Sequence, residues 1–323
     1  MTFYIALWEV DTYGFDDVPA SLAALEAALA KAEEQGTQMD ATCLFAAPEF
    51  LFTKSRDEHF MDEDAKEDVL QRLTALSVKY KRWLMVPGTV GWFKTRVRMP
   101  RRAARREEEE RSASPRNPQG YVDRAWETPV RVLPAYTPEM AAMNMPDPLG
   151  TSRPDLEEYL GDRDSELAYV QQQTPNVQDL RFARNTAYVL KRGALIHKYS
   201  KQIPSFANGL ADVGRHDQRQ STLFLPGKEW PLFQHSDMTF GLEICSEHGV
   251  THLANRMRFG TPPDIHLLLS AYTSTFEDGI ASNWNTLVHA DSRHSKLMYE
   301  GAAVDPLARV PLDRGTLLFY EMG

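Results

Sequence analysis

Short apolar runs separated by stretches of helical periodicity constrain this chain most. Phe3-Tyr4-Ile5-Ala6-Leu7-Trp8, Ala41-Thr42-Cys43-Leu44-Phe45-Ala46-Ala47 and Trp83-Leu84-Met85-Val86 read as strands, the second and third of them buried. Between the first two, Leu22, Leu25 and Leu29 recur at spacings of three and four up to Gly36, the mark of an amphipathic helix. A more polar helix is expected from Asp62 to Lys79. The second strand stops at Pro48 and the third at Pro87-Gly88, because a proline has no N–H to give to a ladder. Strand, helix, strand, helix, strand is the signature of an α/β sheet covered by helices.

The pattern breaks after that. From about Arg96 to Asp179 there is little periodicity. Arg101 to Arg111 pass from a basic block into Glu107-Glu108-Glu109-Glu110, which reads as a solvated arm or a self-paired charged helix rather than a binding motif. The rest of this stretch is rich in Pro, Asp and Met and is expected to be an insertion, at about 96–180, folded over the core as a lid or interface element. Order returns at Thr186-Ala187-Tyr188-Val189-Leu190. The turn Lys191-Arg192-Gly193 then leads to Ala194-Leu195-Ile196-His197, which makes a β-hairpin. Further strands are expected at 232–235, 238–244, 265–270, 297–304 and 316–320, with helices near 250–257 and 280–289. There is no internal repeat. At 323 residues the chain can form one large α/β domain or two smaller ones.

Composition excludes several function classes. A net charge of -9 argues against general nucleic-acid binding, which needs a surplus of Lys and Arg. Hydrophobic residues at 42% and charged residues at 25% are ordinary for a globular chain, and no stretch is long enough to span a bilayer. Cys43 and Cys245 are too few for a disulfide framework and suit a reducing compartment. The first strand has no basic segment or leader-like run before it, so a cytoplasmic location is expected.

Three segments each put a reactive residue just past an apolar strand, where catalytic groups of α/β sheets gather. In Ala47-Pro48-Glu49-Phe50-Leu51-Phe52, Glu49 lies among apolar neighbours, and desolvation makes such a carboxyl a candidate proton acceptor. The bland alternative is a glutamate capping the next turn. In His197-Lys198-Tyr199-Ser200-Lys201-Gln202-Ile203-Pro204, either lysine could direct a fixed positive charge into a pocket, and spacing does not choose between them. In Phe240-Gly241-Leu242-Glu243-Ile244-Cys245-Ser246-Glu247-His248-Gly249, Cys245 ends a strand before a helix, where backbone N–H groups favour a thiolate. Cys43, inside a strand, has the setting of a structural thiol.

The order of these segments, with Leu225-Pro226-Gly227 and Pro263-Asp264-Ile265-His266-Leu267-Leu268-Leu269-Ser270-Ala271, resembles the nitrilase, or carbon–nitrogen hydrolase, superfamily over about 3–93 and 184–300. The resemblance implies a single domain with a four-layer αββα sandwich. It implies a catalytic set of Glu49 as general base, Lys201 (two residues after Tyr199) and Cys245 as nucleophile, with Ser246, Glu247 and His248 beside the cysteine as oxyanion and pocket residues. It further implies a small-molecule amide as substrate, no cofactor, and a homodimer. Three departures stand out. Where many members have a second glutamate, this chain has Gln220, with Asp217 the nearest acid. Ser246 replaces the aromatic that often follows the cysteine of true nitrilases, which favours amides over nitriles. The insertion at 96–180 has no counterpart in typical members.

Two other readings compete. Glu247, His248 and His252 put two histidines four apart on an expected helix, a spacing that can bind zinc, although no third ligand is evident. A non-catalytic binding or scaffold protein on the same fold is the other, since fold does not fix activity. Passing the acyl group to an amine rather than to water would use the same residues.

Overall fold

The computed structural model describes residues 3–36, 42–53, 60–94, 181–203, 222–224, 227, 229–258 and 260–323. The expected insertion at 96–180, the charged run within it, Asp217 and Gln220 lie outside the described residues.

Two sheets carry the structure. The first contains β1 (Phe3–Glu9), β2 (Thr42–Ala47), β3 (Trp83–Pro87), β4 (Thr89–Lys94) and β5 (Arg181–Lys191). It also contains β6 (Ala194–Ser200), β7 (Thr222–Phe224), β14 (Ala308–Pro311) and β15 (Thr316–Met322). Its strand order is β14-β15-β1-β2-β3-β5-β4, with β6 and β7 also paired to β5. Strands β1, β2 and β3 run parallel, as strands joined by helical crossovers must. The second sheet has the order β13-β12-β11-β10-β9-β8. Its strands are β8 (Leu232–His235), β9 (Met238–Ile244), β10 (Ile265–Leu269), β11 (Leu287–Ala290), β12 (Lys296–Tyr299) and β13 (Ala302–Val304), and β9, β10 and β11 are parallel.

Alternation along β1 explains the layering. Tyr4, Ala6 and Trp8 point to one face and pack with Leu22, Leu25 and Leu29 of α1 (Val18–Gly36) and Val69 and Leu73 of α2 (Glu63–Lys79). Phe3, Ile5 and Leu7 point to the other and meet Phe240, Leu242 and Ile244 of β9 and Ile265, Leu267 and Leu269 of β10. The far face of the second sheet is covered by Leu253 and Met257 of α4 (His252–Met257) with Ala281, and by Ile280 against Leu268, Leu287 and Met298. The order helix, sheet, sheet, helix is the αββα sandwich expected from the sequence, with a thin second helical layer. No helix among the described residues is long and apolar enough to cross a membrane.

Three local expectations change. The helix expected near 280–289 is a loop that runs into β11. Ser282 Oγ donates to the Thr286 carbonyl, and Trp284 and Asn285 sit at φ 43° and 46°, so local polar bonds and left-handed backbone replace a helix. The strand expected over 297–304 is a hairpin, β12 and β13, turned at Glu300 and Gly301 with φ 52° and 78°. The helix expected near 250–257 starts only at His252, because Thr251 is left-handed at φ 53° and separates α4 from the single turn α3 (Ser246–Gly249). The hairpin 186–197 forms as expected. Arg192 and Gly193, both at positive φ, make its turn.

Candidate active site

Glu49 leaves the end of β2 in a tight turn. Gly88, at φ 81°, lets the end of β3 come so close that a Cβ there would lie 2.3 Å from the Pro48 carbonyl oxygen. The Glu49 N–H donates to the Ser270 carbonyl at 3.3 Å, which ties this turn of the first sheet to the end of β10 in the second. The Glu49 carboxylate is 1% exposed. Its Oε1 accepts from Lys201 Nζ and from Asn185 Nδ2, each at 2.8 Å.

This contact separates the two lysines that spacing left equivalent. Lys201 is fully buried on Glu49, whereas the Lys198 side chain is 37% exposed, 3.7 Å from Glu229. The Lys201 N–H donates to the Asn185 carbonyl and its own carbonyl accepts from Gly227 N. A Cβ on Gly227 would stand 2.0 Å from the Ser200 carbonyl oxygen, so only glycine lets residue 227 lie this close to the hairpin exit. A buried ion pair gains little net stability, but removing one partner strands the other charge, at a cost of about 3–5 kcal/mol.

Cys245 ends β9, and its N–H donates to the Leu269 carbonyl at 2.9 Å. The carbonyls that receive Glu49 and Cys245 therefore belong to consecutive residues of one chain segment, Leu269 and Ser270. Cys245 has φ 51° and ψ -104°, a strained conformation for a residue with a Cβ, costing about 1–3 kcal/mol. Its sulfur is part-buried, with Sγ 2.8 Å from Thr273 Oγ1. The helix that follows is α3, one turn only, so the dipole support expected for a thiolate here is that of a single turn.

Glu247 explains how that strained corner is held. It is fully buried, and burial pushes its carboxyl upward in pKa. Its Oε1 accepts from the Tyr199 hydroxyl at 2.9 Å and from Gln202 N at 2.6 Å, and its Oε2 accepts from Ile244 N at 2.7 Å. One carboxylate thus clamps the exit of β6, next to Lys201, onto the residue before Cys245. Ser246 Oγ adds a bond to the Ile203 carbonyl at 2.9 Å. These links fasten the strand ends that carry Glu49, Lys201 and Cys245 to one another.

The trio of the competing zinc reading, Glu247, His248 and His252, does not converge. Glu247 is spent on the clamp, and His252 Nε2 faces Gln202 Oε1 at 3.2 Å from a separate helix. His248 instead joins Glu243 and His266, all fully buried, with ligand-type atoms within 4.8 Å of one another. Their hydrogen bonds favour a proton network over a cation. His248 Nε2 accepts from Phe276 N and His266 Nδ1 accepts from Ala281 N, which leaves the other ring nitrogens facing Glu243 Oε2, at 3.1 and 2.9 Å. A metal-bound histidine donates from its outer nitrogen, the opposite arrangement. Burial alone would raise the Glu243 carboxyl, but the two imidazoles outweigh it and hold it well below the usual range. Burial also lowers His266. This hub fastens the loop 271–281, which carries Thr273, to β9.

Asn185, Thr273, Glu243 and His266 are site residues that sequence reasoning missed or passed over. Glu243 and His266 lay within quoted segments, where two residues on buried strands are unusual enough to be a signal. Asn185 and Thr273 gave none.

Neither a protein-family model nor a curated protein matches the chain. Among solved structures it is similar to Saccharomyces cerevisiae Nit3, a member of branch 10 of the nitrilase superfamily. That likeness is 13% identical, covers 99% of this chain and 89% of that one, and has a TM-score of 0.49. An amidase from Nesterenkonia sp. is 12% identical over 100% of this chain and 90% of its own, with a TM-score of 0.47. A glutamine-dependent NAD+ synthetase from Acinetobacter baumannii is 13% identical over 100% of this chain and 46% of its own, with a TM-score of 0.48. With identities and scores this low, the chemistry has to be read from the chain's own residues.

Proposed function

We propose that the chain is a nitrilase-type carbon–nitrogen hydrolase that cleaves a small-molecule amide through a thioester on Cys245. The observation that carries the reading is the fully buried Glu49–Lys201 pair, 2.8 Å apart and tied through Ser270 and Leu269 to the strained cysteine corner. A buried ion pair adds little net stability, and backbone strain of the kind seen at Cys245 clusters at functional sites.

In this mechanism Glu49 takes the Cys245 thiol proton, and the sulfur attacks the amide carbon. Lys201 Nζ and the Ser246 backbone N–H stabilise the oxyanion, each such donor being worth about 3 kcal/mol in the transition state. Collapse of the tetrahedral adduct breaks the carbon–nitrogen bond, and the proton held by Glu49 leaves with the amine. Water, deprotonated by the same carboxylate, then cleaves the thioester. The chemistry calls for no metal or organic cofactor.

The test is a panel of small amides and nitriles with ammonia as readout, run beside Cys245→Ala, with intact-mass spectrometry of the protein. Ammonia release with an acyl adduct on Cys245, both lost in the variant, supports the reading. Turnover that survives Cys245→Ala overturns it.

A further inference from the structure

We propose that Thr273 is a further catalytic residue of this site: its hydroxyl donates a hydrogen bond to Cys245 Sγ once the thiol has lost its proton. The inference rests on Cys245 being the nucleophile and adds a second partner for its sulfur.

Geometry supplies the case. Thr273 Oγ1 lies 2.8 Å from Sγ, and it is brought there by a loop fixed at several points rather than by a free tip. The Thr273 N–H donates to Asp291 Oδ2 at 3.1 Å, and the same oxygen accepts from Ser270 Oγ at 2.5 Å. Ser270 is also the residue whose carbonyl receives the Glu49 N–H. Three residues further on, the Phe276 N–H is fastened to His248 Nε2. The hydroxyl is therefore positioned by the segment that joins the carboxylate to the cysteine.

A hydroxyl suits this position because it can reverse its role. Facing a thiol it accepts from S–H, and facing a thiolate it rotates its own proton toward sulfur. The second bond is charge-assisted and the stronger of the two, so the pair favours ionised sulfur. The thiol proton passes to Glu49, while the Thr273 proton stays on its oxygen throughout and no bond to Thr273 is made or broken. Among the charges around the site, Glu49, Lys201, Glu243, Glu247 and Asp291 are all kept when Thr273 is replaced.

Alkylation of Cys245 by iodoacetamide reads this directly, without a known substrate. Rates are followed by intact mass from pH 5.5 to 9.5 for the wild type, Thr273→Val and Thr273→Ser, with Cys245→Ala to subtract any labelling of Cys43. The isosteric Val variant is expected to move the midpoint of the rate–pH curve up by about one unit, making alkylation about tenfold slower below it, and Ser is expected to restore it. If Thr273→Val does not fold, Thr273→Ala carries the same comparison. An unchanged midpoint in the folded Val or Ala variant overturns the role of Thr273 alone. A wild-type midpoint at or above the ordinary thiol value of about 8.5 overturns both this role and that of Cys245 as an activated nucleophile.

Discussion

Asn185 shows how much at this site depends on a residue with no reactivity of its own. Its Nδ2 and Lys201 Nζ meet on one oxygen of Glu49, while its Oδ1 is buried without a hydrogen-bond partner among the described residues. The carboxamide is thus held against Glu49 from one side, on the oxygen that also receives Lys201. Replacing it with a near-isosteric Asn185→Leu keeps the ion pair but removes one bond that orients the carboxylate. Misplacement of a reacting group by about 1 Å can cost up to about 100-fold in rate. The variant should stay folded by circular dichroism while its rate of acyl-adduct formation, followed by mass, drops by about ten- to a hundredfold. At this scale the sequence marks candidates where a reactive residue type coincides with a strand end. Glu49 and Cys245 stand out because each follows an apolar run, whereas only the family resemblance sets Lys201 apart from Lys198. Thr273 and Asn185 could not, since a threonine in a loop and an asparagine in a strand are ordinary until their neighbours are known.

Among the elements, the end of β10 and the turn after β2 matter most. Leu269 and Ser270 receive the N–H groups of Cys245 and Glu49, and the β2 turn can reach them only because Gly88 admits the Pro48 carbonyl. Gly88→Ala places a methyl group against that carbonyl and a side chain at φ 81°, so the turn must shift. We expect a loss of more than about 1 kcal/mol in urea denaturation, together with a slower Cys245 adduct. The strands flanking this region were legible from their apolar runs and terminal prolines. The expected helix over 280–289 was not a helix because its apolar residues are divided between a loop, which packs Ile280 on the outer face of the second sheet, and strand β11. Periodicity cannot distinguish a helix face from two short segments that each bury something different. The break at Thr251 was equally invisible, since a threonine in left-handed backbone is imposed by packing rather than by local preference.

For the whole molecule, the buried imidazoles set an acid limit on stability. Burial pushes His289 down to about 3, and His266 is lowered by the same cause. The unfolded chain takes these protons near pH 6.5 while the folded chain refuses them. Their contribution is therefore complete above about pH 6.5 and is lost as pH falls toward the folded values. Glu243, also lowered, acts in the same direction below its ordinary carboxylate range. The unfolding free energy from urea titrations should be level above pH 7 and fall below pH 6.5, at about 1.4 kcal/mol per pH unit for each imidazole still refusing a proton. His289→Asn should make that limb shallower.

The carboxylate and the sulfur belong to opposite sheets of the sandwich and are kept in step by two neighbouring peptide oxygens. A slide of one sheet over the other by a single residue would leave every ladder within each sheet intact, yet it would carry Glu49 away from Cys245. On the proposed mechanism, reactivity at the thiol would gauge how the two halves are seated on each other.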